Sequence, residues 1–279
     1  MVTQPELIEP RLIDPSAADY PVGLRDLEDP PPIWRIGEFR SSPGVAVVGT
    51  RRCTRYGVDL AESFGAAIGR AGWTTVSGLA RGIDTAAHRG CLSLSGHAVA
   101  VLGSGVDHCY PSENRPVYDE IVATRGAIVS EYPPGTPPDR WRFPARNRII
   151  AAMSAVVVVV EAAATGGALI TARLAAELGR PVFAVPGDVD RVTSEGCNRL
   201  IRDGAHPVLG SADLLAELGL ILGPPAAASD TLHGIPSEGV SINDLPALWS
   251  MTVTESLIKL GRLELEGKVK RLGEFVVPI

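Results

Sequence analysis

The sequence predicts a doubly wound α/β domain on a buried, mostly parallel sheet, followed by a smaller second unit. Three observations carry this prediction. From Val45 onward, short β-branched runs alternate with amphipathic stretches, which is how successive βαβ units read. The five consecutive valines at 156–160 lack polar alternation, so both faces of that strand are expected to be covered, as in the centre of such a sheet. Finally, residues 223–229, GPPAAAS, read as an inter-domain linker after the last helix of the series.

Taken in order, residues 1–40 are acidic and interrupted by Pro30, Pro31 and Pro32, which no helix interior sustains, and they read as a lead-in segment. Strands are expected at 45–48, 73–77, 98–102, 127–130, 155–160, 182–185 and 206–209. Helical patterns run near 57–71, 83–94, 114–125, 146–153, 167–179, 194–203 and 211–219, so that residues 41–222 form one domain. From residue 230 to 279, two helical stretches and a hairpin around Gly273 fit a winged helix.

The chain has 279 residues, 45% of them hydrophobic, enough for one large core and a small accessory domain. No run approaches the roughly eighteen apolar residues of a membrane span, and the N-terminus lacks the apolar core of a signal peptide, so a cytosolic protein is expected. Cys53, Cys91, Cys109 and Cys197 form no CxxC pair, which argues for free thiols and against a zinc or redox site.

The net charge of −6 argues at first against a polyanionic partner, but its distribution reverses that. Residues 1–40 hold 4 Arg and 8 acids, and residues 211–279 hold 5 bases and 9 acids, whereas residues 41–210 hold 17 Arg and 15 acids. Every cation of the central domain is Arg, the side chain suited to bidentate phosphate contacts, although a GC-rich genome gives the same bias.

Ligands of a doubly wound sheet bind beyond the C-terminal ends of its strands. The loops there carry Gly49, Thr50, Arg51 and Arg52, then Ser77, Gly78 and Arg81, then Gly103, Ser104 and Gly105, and finally Gly166 and Gly167. Glycine between strand and helix bares backbone amides that hold anionic oxygens, and four such loops on one edge suggest a surface that follows phosphates. Neither GxGxxG nor GxxxxGK[ST] occurs, so no nucleotide cofactor is expected.

The segment DRWRFPARNRII packs Arg140, Arg142, Arg146 and Arg148 around Trp141 and Phe143, joining phosphate donors to rings on which bases stack. A solvated arginine loop anchored by its aromatics is the plainer alternative. Asn147 either lines a site or caps the following helix. Asp84 and His88, at i and i+4, either orient an imidazole or form a structural pair. Glu161 is either a base or an organiser of loop amides. No nucleophile stands beside a base, so no catalytic set and no metal site are expected.

The stretches VAVVGTR, SGLARGIDTAAH, AVLGSGVDHCYP, IVSEYPPG, FPARNRII, VVVVEAAATGGALITA, GRPVFAVPGD and GCNRLIRDGA occur in an order highly specific to one group. From about residue 20 to 218 the chain resembles the DNA-processing protein A (DprA/Smf) family. The resemblance implies an extended Rossmann-like, non-catalytic homodimer that binds and protects single-stranded DNA and loads the recombinase RecA onto it in natural transformation. On that analogy Gly49, Thr50 and Arg51 cradle a phosphate, Arg140 and Phe143 form the rim, and Asn147, Gly166, Gly167 and Asn198 line the floor. A pocket cation that is Lys in some relatives falls on Arg140 or Arg142. Many relatives also carry an N-terminal helical domain, for which the lead-in is too short.

Two other readings stand beside this one. A LOG-type phosphoribohydrolase shares a loop like TGGALITA, but its pattern calls for an acid four residues after Thr171 that is absent here. A RecA-binding adaptor with little DNA affinity is the other. The DNA reading requires Arg51, Arg140 and Arg146 to converge on one rim of the sheet.

Overall fold

The structure is a computed structural model that describes residues 9–223, 235, 240–249, 251–265 and 268–278. The chain divides into two compact units, Met1–Ala226 and Ala227–Ile279. The expected linker falls, from residue 224 on, outside the described residues.

The first unit begins with β1 (Arg11–Ile13) and β2 (Ile33–Gly37) and then alternates strands and helices. These are β3 (Gly44–Val48), α1 (Arg55–Arg70), β4 (Thr74–Ser77), α2 (Ile83–Leu92), β5 (His97–Val101), α3 (Arg115–Ala123) and β6 (Ala127–Ser130). The series continues through α4 (Arg142–Ala152), β7 (Val156–Val159), α5 (Gly167–Glu177), β8 (Val182–Ala184), α6 (Val192–Arg202), β9 (His206–Pro207) and α7 (Ser211–Leu222). The nine strands form one sheet in the order β1-β2-β6-β5-β4-β3-β7-β8-β9. Pairing is parallel from β6 through β9 and antiparallel between β1 and β2 and between β2 and β6.

The valine run behaves as its composition demands. Val156, Val158 and Val160 face a core with Phe64, Ile68, Trp73 and Leu214, while Val157 and Val159 face the opposite core with Ile149, Ile150, Ala172 and Cys197. Each fully buried valine contributes about 1.5–3 kcal/mol, and helices must cover both faces to collect it. Strand β3 divides in the same way, with Val45 and Val47 on one side and Ala46 and Val48 on the other.

Two expectations are corrected. Residues 11–37, read as a lead-in, belong to the sheet: β2 pairs with β6, and Ile13, Tyr20, Leu24 and Ile33 are buried in the core. Pro30–Pro32 do break the chain, but they stand just before β2 and not within it, so no amide is missing from its pairing with β1 and β6. The helix expected from residue 146 starts at Arg142, one turn earlier.

In the second unit, β10 (Val240–Ser241), β12 (Phe275–Pro278) and β11 (Val269–Leu272) form a three-stranded antiparallel sheet in that spatial order. Helices α8 (Leu245–Trp249) and α9 (Val253–Leu265) precede the β11–β12 hairpin, which turns at Gly273 with φ of 68°. Its own core gathers Ile235, Leu245, Leu260, Leu263, Val269 and Val276.

Candidate nucleic-acid interface

Strand order fixes where a cleft can form. The chain winds from β3 through β4 and β5 to β6 in one direction, then jumps to β7 on the other side of β3. The loops leaving β3 and β7 therefore diverge, and a crevice opens between them. A cleft of ≈ 980 Å³ occupies this place, lined by Gly49, Thr50, Arg51 and Arg52 from the first loop and by 162–168 from the second.

The first loop is fixed at both ends by one residue. The Thr50 amide donates to the Glu161 carbonyl at 2.7 Å, and the Glu161 carboxylate accepts from the Thr54 amide at 2.8 Å and the Thr54 hydroxyl at 2.6 Å. Thr54 then caps α1 by accepting from the Gly57 amide at 3.1 Å. Glu161 thus organises loop amides, the second of its two readings. A Cβ on Gly49 would lie 2.5 Å from Ile83 and 2.9 Å from the Glu161 carbonyl, so only glycine fits.

The loop after β4 is gripped from below. Asp84 accepts from the Gly78 amide at 3.1 Å, and Arg146 donates to the Gly78 carbonyl at 3.2 Å. This grip holds Leu79, a buried residue, at a φ of 53°. Burial raises the Asp84 carboxyl above its ordinary range, partly offset by Arg146 and by the Ala80 and Gly78 amides. Burial likewise pulls Arg146 down to about 10, Asp84 partly restoring it and Arg51 lowering it further. Arg146, only 3% exposed, is thus a cation at neutral pH set into the cleft floor. His88 does not bond to Asp84: both its ring nitrogens lack a partner among the described residues, and burial, then Arg146, pull it to about 3. A neutral, isolated imidazole serves no Asp-His base.

One wall is aromatic. The Arg51 guanidinium lies 5.1 Å from the Phe143 ring centre, and Tyr110 stacks on Phe143 at 5.4 Å. Opposite, α5 opens on the cleft with its N-terminal turn, where unpaired amides favour anions. Asn147 sits inside α4 and caps nothing; its amide donates to the Gly167 carbonyl at 3.1 Å, tying the two helices together. The lining holds five arginines (51, 52, 140, 146 and 173) and one acid, Asp84.

Of the residues singled out in sequence, Gly49, Thr50, Arg51, Arg52, Arg140, Phe143, Arg146, Asn147, Gly166 and Gly167 meet in this cleft. Arg51, Arg140 and Arg146 therefore converge as required. Gly78 and Arg81 line a small adjoining hollow, where Arg81 is engaged by Glu113 at 2.6 Å.

The others lie outside the lining, each for a visible reason. Ser77 is buried in the sheet, donating to the Val47 carbonyl, and Ser104 donates to the His108 carbonyl. Gly103 leaves room for the Phe143 ring, 2.9 Å from where a Cβ would stand, and Gly105 packs against Asp107 and the Pro133 carbonyl. Arg142 stacks on Tyr132 and Trp141, Arg148 pairs with Glu131 at 2.6 Å, and Asn198 is tied to the Gly187 backbone. Of the two candidates for the pocket cation, Arg140 lines the cleft and Arg142 does not. The sequence reading missed Tyr110 and Arg173; Tyr110 was visible in the CYP triplet after the third strand, whereas nothing in sequence marks Arg173.

All four cysteines are free thiols. Among the described residues, no cluster of His, Cys, Asp or Glu suits a metal ion, and no helix is long and apolar enough to cross a membrane.

Residues 11–219 match the family profile of DNA recombination-mediator protein A. Protein Smf of Synechocystis is 45% identical over 219 residues, which cover 76% of this chain and 55% of that protein. The crystal structure of DNA processing protein A (DprA) from Streptococcus pneumoniae superposes with a TM-score of 0.69 at 40% identity, covering 74% of each chain. DNA processing protein A of Helicobacter pylori, described for its single-stranded DNA binding mode, gives 0.68 at 28% identity over 76% of this chain and 96% of that one. With a profile match over most of its length and a switch-point cleft formed by the same stretches that first suggested the kinship, the chain belongs to the DprA/Smf family of DNA processing proteins.

Proposed function

We propose that this protein binds single-stranded DNA in the cleft between the β3 and β7 loops, without catalysing a reaction on it. One observation supports this above the rest: five arginines and the amide end of α5 line a cleft with a single, already engaged acid. A strand's phosphates would lie along Arg51, Arg52 and Arg140, over Arg146 and the α5 N-terminus, while bases stack toward Phe143 and Tyr110. The Helicobacter pylori relative is described as a single-stranded DNA binder, which favours the same ligand here.

The wider role is part of the proposal: a cytoplasmic homodimer that shields incoming DNA and loads RecA in natural transformation, its second unit acting as a winged helix. Nothing in the cleft favours a phosphoribohydrolase, since Asp84 is spent on loop amides and no free acid faces the lining.

The test is an anisotropy titration with oligothymidine across a range of salt. Affinity is expected to fall steeply with salt, and Arg51→Ala to weaken every sequence alike and flatten the log–log salt slope by about 0.7 per lost phosphate contact. Affinity indifferent to both would refute the reading, and release of free base from nucleoside monophosphates would favour the enzyme. RecA pull-down with and without DNA separates loading from mere adaptor binding.

A further inference from the structure

The four residues 140–143 divide between two places. Arg140 and Phe143 line the cleft, whereas Trp141 and Arg142 do not. The Arg142 guanidinium sits 5.2 Å from the Trp141 ring centre and 4.9 Å from that of Tyr132, and the two rings meet edge to face at 6.0 Å. The indole nitrogen donates to Asp139 at 2.9 Å, and Arg142 reaches back to the Pro137 carbonyl. An aromatic that merely anchors a loop is buried, as Trp73 is at 2%. Trp141 is 59% exposed, yet held by a hydrogen bond, a cation and a ring edge.

We propose that Trp141 is a second stacking station for single-stranded DNA, outside the cleft, engaged by bases of a strand too long for the cleft alone. The proposal rests on the cleft reading above. Its occupant is the same strand because Trp141 directly follows Arg140, which lines the cleft, so the exposed indole stands within about a nucleotide of that margin. A base stacks on any aromatic face regardless of sequence, and a preorganised ring loses little freedom in receiving it. Of the nearby acids, Glu131 is neutralised by Arg148, and Asp139 accepts from the indole nitrogen at the edge of the ring, not on its face.

The test compares oligothymidines of about six and about twenty nucleotides, with an abasic strand of the longer length, on the full chain. Trp141→Ala is expected to leave affinity for the short oligomer and the abasic strand unchanged and to weaken the long one about tenfold. Trp141→Phe, which keeps an aromatic face, is expected to restore most of that loss, and the indole fluorescence quenched by the long oligomer is expected to vanish in it. Arg51→Ala is the control for the cleft and should weaken both lengths. If Arg51→Ala weakens both and Trp141→Ala neither, the second station is wrong and the cleft stands; if Arg51→Ala is silent, the cleft itself is wrong. Equal loss on both lengths, or loss on the abasic strand, also overturns the proposal, because it merges Trp141 with the cleft or makes its role other than stacking.

Discussion

Charge buried under the cleft sets the behaviour of single residues. Asp84 and Arg146 are both sequestered, an arrangement that costs free energy unless each finds partners, and they find them in the amide and the carbonyl of Gly78. His88 finds none and stays neutral. Its folded value of about 3 lies below the ordinary 6.5, so below pH 6.5 the unfolded chain takes up a proton that the folded chain refuses. Stability from this residue is complete above pH 6.5 and drains away as pH falls toward 3, by about 1.4 kcal/mol per unit. His97, also held down by burial, acts in the same direction. Urea unfolding at pH 7.5 and pH 5 should therefore show His88→Leu losing about 2 kcal/mol less than the wild type between the two, with little difference at pH 7.5. Identical slopes would mean that His88 is protonated in the fold.

At the scale of elements, Glu161 joins the end of β7 to the start of α1 across the switch point. Glu161→Ala strands the Thr54 amide and hydroxyl and frees the arginine loop. A stability loss of about 1–3 kcal/mol is expected, with weaker DNA binding on top of it, measured by thermal melting and anisotropy on the same samples. Binding unchanged in a destabilised variant would show that Arg51 does not need its loop held.

The elements also explain what the sequence could tell. Parallel strands covered on both faces leave uninterrupted β-branched runs, so β3 to β8 were readable to within a residue or two of their ends. Strand β2 was not, because its partner β6 lies far along the chain and its pattern follows three prolines. The arginine-rich stretch was readable as a density and not as a geometry. It straddles the start of α4, where successive side chains turn by about 100°, so neighbours in sequence point to different places. Arg140 and Arg146 meet in the cleft, while Arg142 and Arg148 turn to Tyr132 and Glu131.

For the whole molecule, every residue lining the cleft belongs to the first unit, and the second unit has its own apolar centre. A chain ended after Ala226 is accordingly expected to stay folded, melting cooperatively, and to keep its affinity for a short oligothymidine within about twofold, as DNA titration would show. A large loss would assign part of short-strand recognition to residues 227–279.

The two margins of the large sheet carry a further consequence. One outer strand is three residues long and the other two, so little bare backbone is left for another sheet to pair with. High local concentration is the circumstance in which long open borders would zip together irreversibly. With borders this brief, copies brought close together have little open backbone through which to fuse, and can separate again.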